Sequence, residues 1–158
     1  MIVVGDAVTE AEAAAVRASG GAYARYRRID QASYEAAEGV PVPEGIVRIA
    51  REVTGRDLRV VDGRLLRFVC GDYTLAHHGY VEDHAVELVL DVSLAAVPGA
   101  EVHYRRRGRV VFAMPSQPCA LAVVERGPTI TANHTYLSKR LREAEVIRLV
   151  ARLRDIVG

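Results

Sequence analysis

Tryptophan is absent from this sequence, and cysteine, methionine and phenylalanine occur only twice each. Cys70 and Cys119 are too few and too widely separated for a disulfide framework or a C-x-x-C metal motif. A core built without staples, with buried thiols in a reducing cytoplasm, is therefore expected. No apolar run is long enough to cross a bilayer, and the stretch from Met1 to Asp6 has no basic leader. Neither a signal peptide nor a membrane span is expected, and the localisation expected is cytoplasmic. Neither sign of charge dominates: 21 basic against 20 acidic residues leave a net charge of +1. Charge alone therefore demands neither nucleic acid nor a membrane surface as partner. The phosphate-cradling G-x-x-x-x-G-K-[ST], the dinucleotide G-x-G-x-x-G, the zinc-protease H-E-x-x-H and the nucleophile elbow G-x-S-x-G are all missing.

What is present fits one domain spanning residues 1–158, with half of its residues hydrophobic and so enough apolar material for a core. Thr9 and Glu12 form a capping box that opens a helix to about Ser19, stopped by Gly20 and Gly21. Ala22 to Ile29 reads as an edge strand, and Asp30 to Pro41 is the least defined stretch. Pro43 suits the first turn of a second helix running to about Val53, with Gly55 beyond its end and Ile46, Ile49 and Val53 on one face. From Leu58 onward the pattern is of strands. Leu58–Val61 and Leu65–Val69 flank Asp62 and Gly63, a hairpin-turn signal. Asp72–His77, His84–Val92, a hairpin of Glu101–Tyr104 and Arg109–Met114 around Arg107 and Gly108, Cys119–Val124, Thr129–His134 and Val146–Leu153 follow. Two helices and then about eight short strands give an α+β fold whose sheet closes as a sandwich or barrel. The last segment also has helical spacing at Val146, Leu149, Val150 and Leu153, which leaves a terminal helix as its alternative.

Histidine placement carries most of the chemical information. Of the five histidines, His77 and His134 each end a strand, while His78, His84 and His103 read as structural or solvated. Strand alternation puts Tyr73, Leu75 and His77 on one face. Arg148 shares a face with Val146 and Val150, and a charge within so apolar a strand needs a partner if that face is buried. A guanidinium fork suits a carboxylate, and two neutral imidazoles with open positions suit Fe(II). The arginines at 105, 106, 107 and 109 read as a solvated turn.

The segment with Phe68, Gly71, Asp72, Tyr73 and His77 resembles the Tyr-x-x-Gly-Asp-x-x-x-x-His-x-Asp motif of the prolyl-hydroxylase-like branch of the Fe(II)/2-oxoglutarate oxygenases. Val86–Leu90 resembles that family's next core strand. Pro98 to Glu101 resembles its Gly-Gly-Glu turn, and Pro115 to Ala122 its Pro-x-x-Gly-x-Leu strand. The resemblance covers roughly Leu65 to Leu153. It implies a double-stranded β-helix with N-terminal helices packed on the sheet. It also implies His77 and His134 as iron ligands, Arg148 (or Arg140 or Arg142) and Tyr73 at 2-oxoglutarate, and oxidation of a C–H bond of a small molecule. Gly79 stands where the family has its carboxylate ligand. The same place in the similar iron halogenases holds Gly or Ala, which implies chloride as a third cofactor and halogenation beside hydroxylation. Glu82 or Asp83 is the alternative replacement. A catalytically silent member that binds a ligand or a protein, or a cupin-like metal protein, are the competing readings. The partner expected is a small-molecule substrate, with no nucleic acid or membrane and with a homodimer left open.

Overall fold

The computed structural model describes residues 1–75 and 84–157. His77, His78, Gly79, Glu82 and Asp83 lie outside the described residues. The chain opens with β1 (Ile2–Val4), α1 (Glu10–Ala18), β2 (Ala24–Arg28), β3 (Ala32–Glu38) and α2 (Glu44–Thr54). It continues through β4 (Leu58–Phe68), β5 (Tyr73–Thr74), β6 (Ala85–Asp91), β7 (Val102–Arg106), β8 (Arg109–Met114), β9 (Leu121–Arg126), β10 (Ile130–His134) and β11 (Val146–Asp155).

The strands form two antiparallel sheets. The larger runs β1-β9-β6-β11-β4-β3-β2, with β5 on β3, and the smaller runs β10-β7-β8. From β6 onward the chain passes from the large sheet to the small and back twice, the winding of a double-stranded β-helix. Side-chain alternation divides the large sheet into two apolar layers. Leu65, Val86, Leu88, Leu90, Leu121, Val123, Leu149 and Leu153 face α1 and α2. Leu66, Phe68, Val89, Ala122, Val124, Val146 and Val150 face the smaller sheet, where Val102, Tyr104 and Met114 meet them. The last segment is thus a strand, paired with β4 on one side and β6 on the other. Among the described residues no helix is long and apolar enough to cross a membrane.

The helices form where their caps place them. Thr9 Oγ1 accepts from Glu12 N at 3.1 Å, and the Glu12 carboxylate closes the box on the Thr9 amide. Gly55 ends α2 at φ 66°, a left-handed position that favours glycine. The buried face of α2 is Ile46, Val47 and Ala50 rather than the expected Ile46, Ile49 and Val53; Val53 is 44% exposed. Two further expectations are corrected. Asp30 to Pro41 contains β3, an Ala- and Glu-rich strand held by ladders to both β2 and β4. Asp62 and Gly63 make no turn, since β4 runs unbroken through them. Gly63 answers a steric demand instead. A Cβ there would lie 2.7 Å from Val40 O, and the Gly63 carbonyl accepts from the Val40 amide at 2.9 Å. Cys70 and Cys119 are free and half-buried rather than fully buried.

Candidate functional site

The inward faces of β4, β6, β9, β10 and β11 carry polar residues into the space between the sheets. There Tyr34, Arg64, Thr74, Glu87, Arg126 and His134 help to line a cavity of about 180 Å³. Glu87 and Arg126 belong to neighbouring strands and point the same way. Arg126 Nη1 donates to both Glu87 carboxylate oxygens, at 2.9 and 3.0 Å, and Tyr104 Oη donates to Glu87 Oε2 at 2.7 Å. Burial first, and then the neighbouring Glu87 carboxylate, hold the Tyr104 phenol well above its ordinary pKa, so it stays a donor.

His134 closes the other part of the cavity. It ends β10, is 8% exposed, and stacks on Phe68 with ring centroids 4.8 Å apart. Its amide donates to Thr74 Oγ1 at 2.8 Å, which ties β10 to β5. Arg148, 2% exposed, donates from Nη1 to His134 Nδ1 across 3.1 Å and from Nη2 to the Ala100 carbonyl at 2.7 Å. Its Nε has no hydrogen-bond partner among the described residues. Asp91 lies opposite Arg148 in the β6–β11 ladder, but its oxygens accept from the Ser93 and Gln117 amides. Burial, and then the positive charges of Arg148 and Arg64, push the His134 pKa well below the ordinary imidazole value. The ring is therefore neutral at pH 7.

The structure brings His134 and Arg148 together, with Arg148 on the inward face of β11 beside Val146 and Val150. Arg140 and Arg142 are exposed. Tyr73 is not brought to them: it lines an outer groove with Arg25 and Lys139, its ring 6.3 Å from that of Tyr136, while its neighbour Thr74 lines the interior cavity. The half-buried His103 bonds Glu101 at 2.6 Å, and His84 is exposed. Sequence reasoning missed the Glu87–Arg126–Tyr104 network. Its signal was the one used for Arg148: a charge at an every-second position among buried apolar residues.

The sequence matches no family model and no curated protein. Solved structures do match. A 2OG-Fe(II) oxygenase family oxidoreductase from Burkholderia pseudomallei superposes with a TM-score of 0.74 at 12% identity, covering 99% of this chain and 86% of that one. The fold is that of the Fe(II)/2-oxoglutarate oxygenases. The viral collagen prolyl hydroxylase of Paramecium Bursaria Chlorella virus-1, in its 2OG complex, matches at TM-score 0.67 and 12% identity over 98% of this chain and 96% of its own. HygX from Streptomyces hygroscopicus, with nickel and 2-oxoglutarate bound, matches at 0.65 and 11% over 98% and 82%. At such identities it is the fold that is shared, and the site must be argued from this chain's own residues.

Those residues fit the two cofactors of an oxygenase fold unequally. A buried guanidinium with a free Nε, beside a cavity also lined by Arg64, suits a carboxylate. Iron fits less well. Arginine is a donor only, so the His134 nitrogen facing it is an acceptor and the ring proton rests on Nε2. A ring so held offers a metal no lone pair. Nor do three His, Cys, Asp or Glu side chains converge on a metal position among the described residues. The described donor set does not fit Fe(II).

Proposed function

We propose an oxygenase-type function that begins with uptake of 2-oxoglutarate, or a closely related small dicarboxylate, in the cavity between the two sheets. The observation that carries it is Arg148, a cation 2% exposed whose Nε lacks a partner among the described residues and which touches a cavity-lining histidine. An arginine buried with no carboxylate in hydrogen-bond contact, and only Asp91 and Glu101 acting through space, carries a penalty on the order of a few kcal/mol that an anionic ligand would offset. The fold neighbours support the choice of ligand, since two of them hold 2-oxoglutarate in their structures. Within this reading Arg148 and Arg64 supply the positive charge, and the apolar walls of Leu66 and Val150 exclude water from the ligand's methylenes. Calorimetric titration of the purified chain with 2-oxoglutarate tests it. Saturable one-to-one binding that Arg148→Ala abolishes is expected, whereas unchanged binding in that variant refutes the assignment.

Oxidation itself needs a metal centre, for which the resemblance implies His77 and His134 as ligands and, with Gly79 in place of the carboxylate ligand, chloride as a further one. Anaerobic Fe(II) titration and succinate release from 2-oxoglutarate test this proposal. Hydroxylation and halogenation are separated by whether chloride shifts the iron–2-oxoglutarate spectrum and whether Gly79→Asp removes the shift. The competing reading, a catalytically silent binding module, is favoured by the Arg148 contact on His134 Nδ1. It predicts 2-oxoglutarate binding with neither iron uptake nor succinate.

A further inference from the structure

His134 and Arg148 can be read as one unit. Arg148 fixes which imidazole nitrogen carries the proton, because a guanidinium cannot accept. With Nδ1 turned to Arg148, the opposite edge of the ring presents Nε2–H, and no described group accepts from it. His134 lines the cavity, whereas Arg148 does not. The charged residues on the cavity wall are Arg64, Arg126 and Glu87, which sum to one positive charge before Arg148 is counted. The Thr74 hydroxyl accepts from the His134 amide and keeps its own hydrogen for a ligand on the same wall.

We propose that His134 is an anion-binding donor: its Nε2–H holds a carboxylate oxygen of a small organic acid in the interior cavity, and Arg148 is the positioning residue that sets its tautomer and lends it charge. The Arg148 guanidinium on His134 Nδ1 and the Arg64 charge on the cavity wall both draw a carboxylate towards the ring. The ion-pair chemistry is thus relayed. The guanidinium stays buried against Ala100 O, and the imidazole delivers a hydrogen bond polarised by it. The inference rests on the carboxylate-binding reading above but assigns His134 a role opposite to that of a metal ligand.

The test uses long-range ¹H–¹⁵N correlation of the ¹⁵N-histidine-labelled chain, with His134→Gln identifying the resonance. The expected result is a neutral Nε2–H tautomer for His134, an Nε2–H signal that moves when 2-oxoglutarate is added, and no movement with Zn(II) alone. In binding, His134→Ala should weaken 2-oxoglutarate by about tenfold or more, the loss of one hydrogen bond to a charged group, with His134→Gln recovering part of it. Arg148→Met should mix the two tautomers while leaving the Phe68-stacked ring in place. An Nδ1–H tautomer in the wild type overturns the proposal, as does an Nε2 signal that answers to Zn(II) but not to 2-oxoglutarate. If succinate moves Nε2 while 2-oxoglutarate does not bind, the donor role stands and the choice of ligand falls. If 2-oxoglutarate binds with Nε2 unmoved, the donor role falls and the ligand stands.

Discussion

Glu87→Gln should destabilise the fold far more than its near-isosteric change of shape implies. The Arg126 side chain is 2% exposed and that of Glu87 16%, so the pair is desolvated on one side and nearly so on the other. Removing the carboxylate's charge leaves a guanidinium that cannot shed its proton in a low-dielectric interior. Breaking a buried pair from one side costs about 3–5 kcal/mol, and the retained amide oxygen, still able to accept from Tyr104 Oη, places this variant near the lower end. For a chain of this length about 3 kcal/mol lowers Tm by roughly 6–12 °C. Arg126→Met should cost less, because the stranded Glu87 can neutralise itself by taking a proton. The double variant, with amide and thioether and no charge, should be more stable than the sum of the two losses by about 2 kcal/mol or more. Denaturant unfolding of the four proteins closes the cycle. A Glu87→Gln cost below about 1 kcal/mol, or strict additivity in the double variant, refutes the picture of a desolvated interior pair.

Other consequences are as direct. His134 is held neutral in the fold but gains a proton when unfolded below about pH 6.5. The unfolded chain then binds more protons than the folded one, and stability falls as pH drops through that value, by up to about 1.4 kcal/mol per unit. A urea series between pH 7.5 and 5, compared with His134→Gln, isolates this slope, and equal slopes in the two proteins count against it. Gly63→Ala should destabilise by about 1–3 kcal/mol as an overpacking change, since the new methyl meets the Val40 backbone carbonyl as well as the Val42 side chain; Gly21→Ala, with nothing near its Cβ but φ 57°, should cost about 1 kcal/mol. A thermal melt at 2-oxoglutarate 100-fold above its Kd should gain about 2.7 kcal/mol of stability, and Arg148→Met should lose that gain.

Much of this fold was legible because its elements follow local rules. The capping box at Thr9 and Glu12, the stop at Gly55 and the turn at Arg107 and Gly108 (φ 51° and 76°) are set by neighbours in sequence, and each lies where the sequence puts it. The two-residue period of Val146, Arg148 and Val150 competed with a helical spacing of the same segment, and only the family resemblance favoured the strand that sends Arg148 to the interior. What was not legible depends on contacts far along the chain. The Ala- and Glu-rich β3 has little strand propensity and exists because β2 and β4 supply ladders on either side. Asp62 and Gly63 carry a strong turn signal, overridden by a long partner in β11 and by the close passage of Val40. The sidedness of Tyr73 and Thr74 was assigned from alternation with no anchor. The anchor is the Thr74 hydroxyl under the His134 amide, sixty residues away.

Alternation also explains why the interior is charged at all. Arg64, Glu87, Arg126 and Arg148 are each the inward member of a strand whose outward neighbours pack under α1 and α2, so none is there for want of an alternative face. Apolar residues of similar volume at these places would be neutral or stabilising. Arg126 donates twice to Glu87 and once to the Ile130 carbonyl, and the Tyr104 hydroxyl donates to the same carboxylate, so that pair is accounted for as structure. Arg148 is different: its contacts are a neutral imidazole and a carbonyl, and the nearest carboxylate in its ladder, Asp91, is engaged by backbone amides. Asp91 and Glu101 act on this charge only through space, with no carboxylate in hydrogen-bond contact among the described residues, and an anionic ligand in the adjoining cavity would lower the cost that remains. The same asymmetry separates the two cofactors of the fold. A carboxylate would offset the desolvated charge of Arg148, while a divalent cation on His134 would add to it. On the proposed reading the interior suits the acid before the metal, because a metal on His134 would have to displace the Arg148 contact.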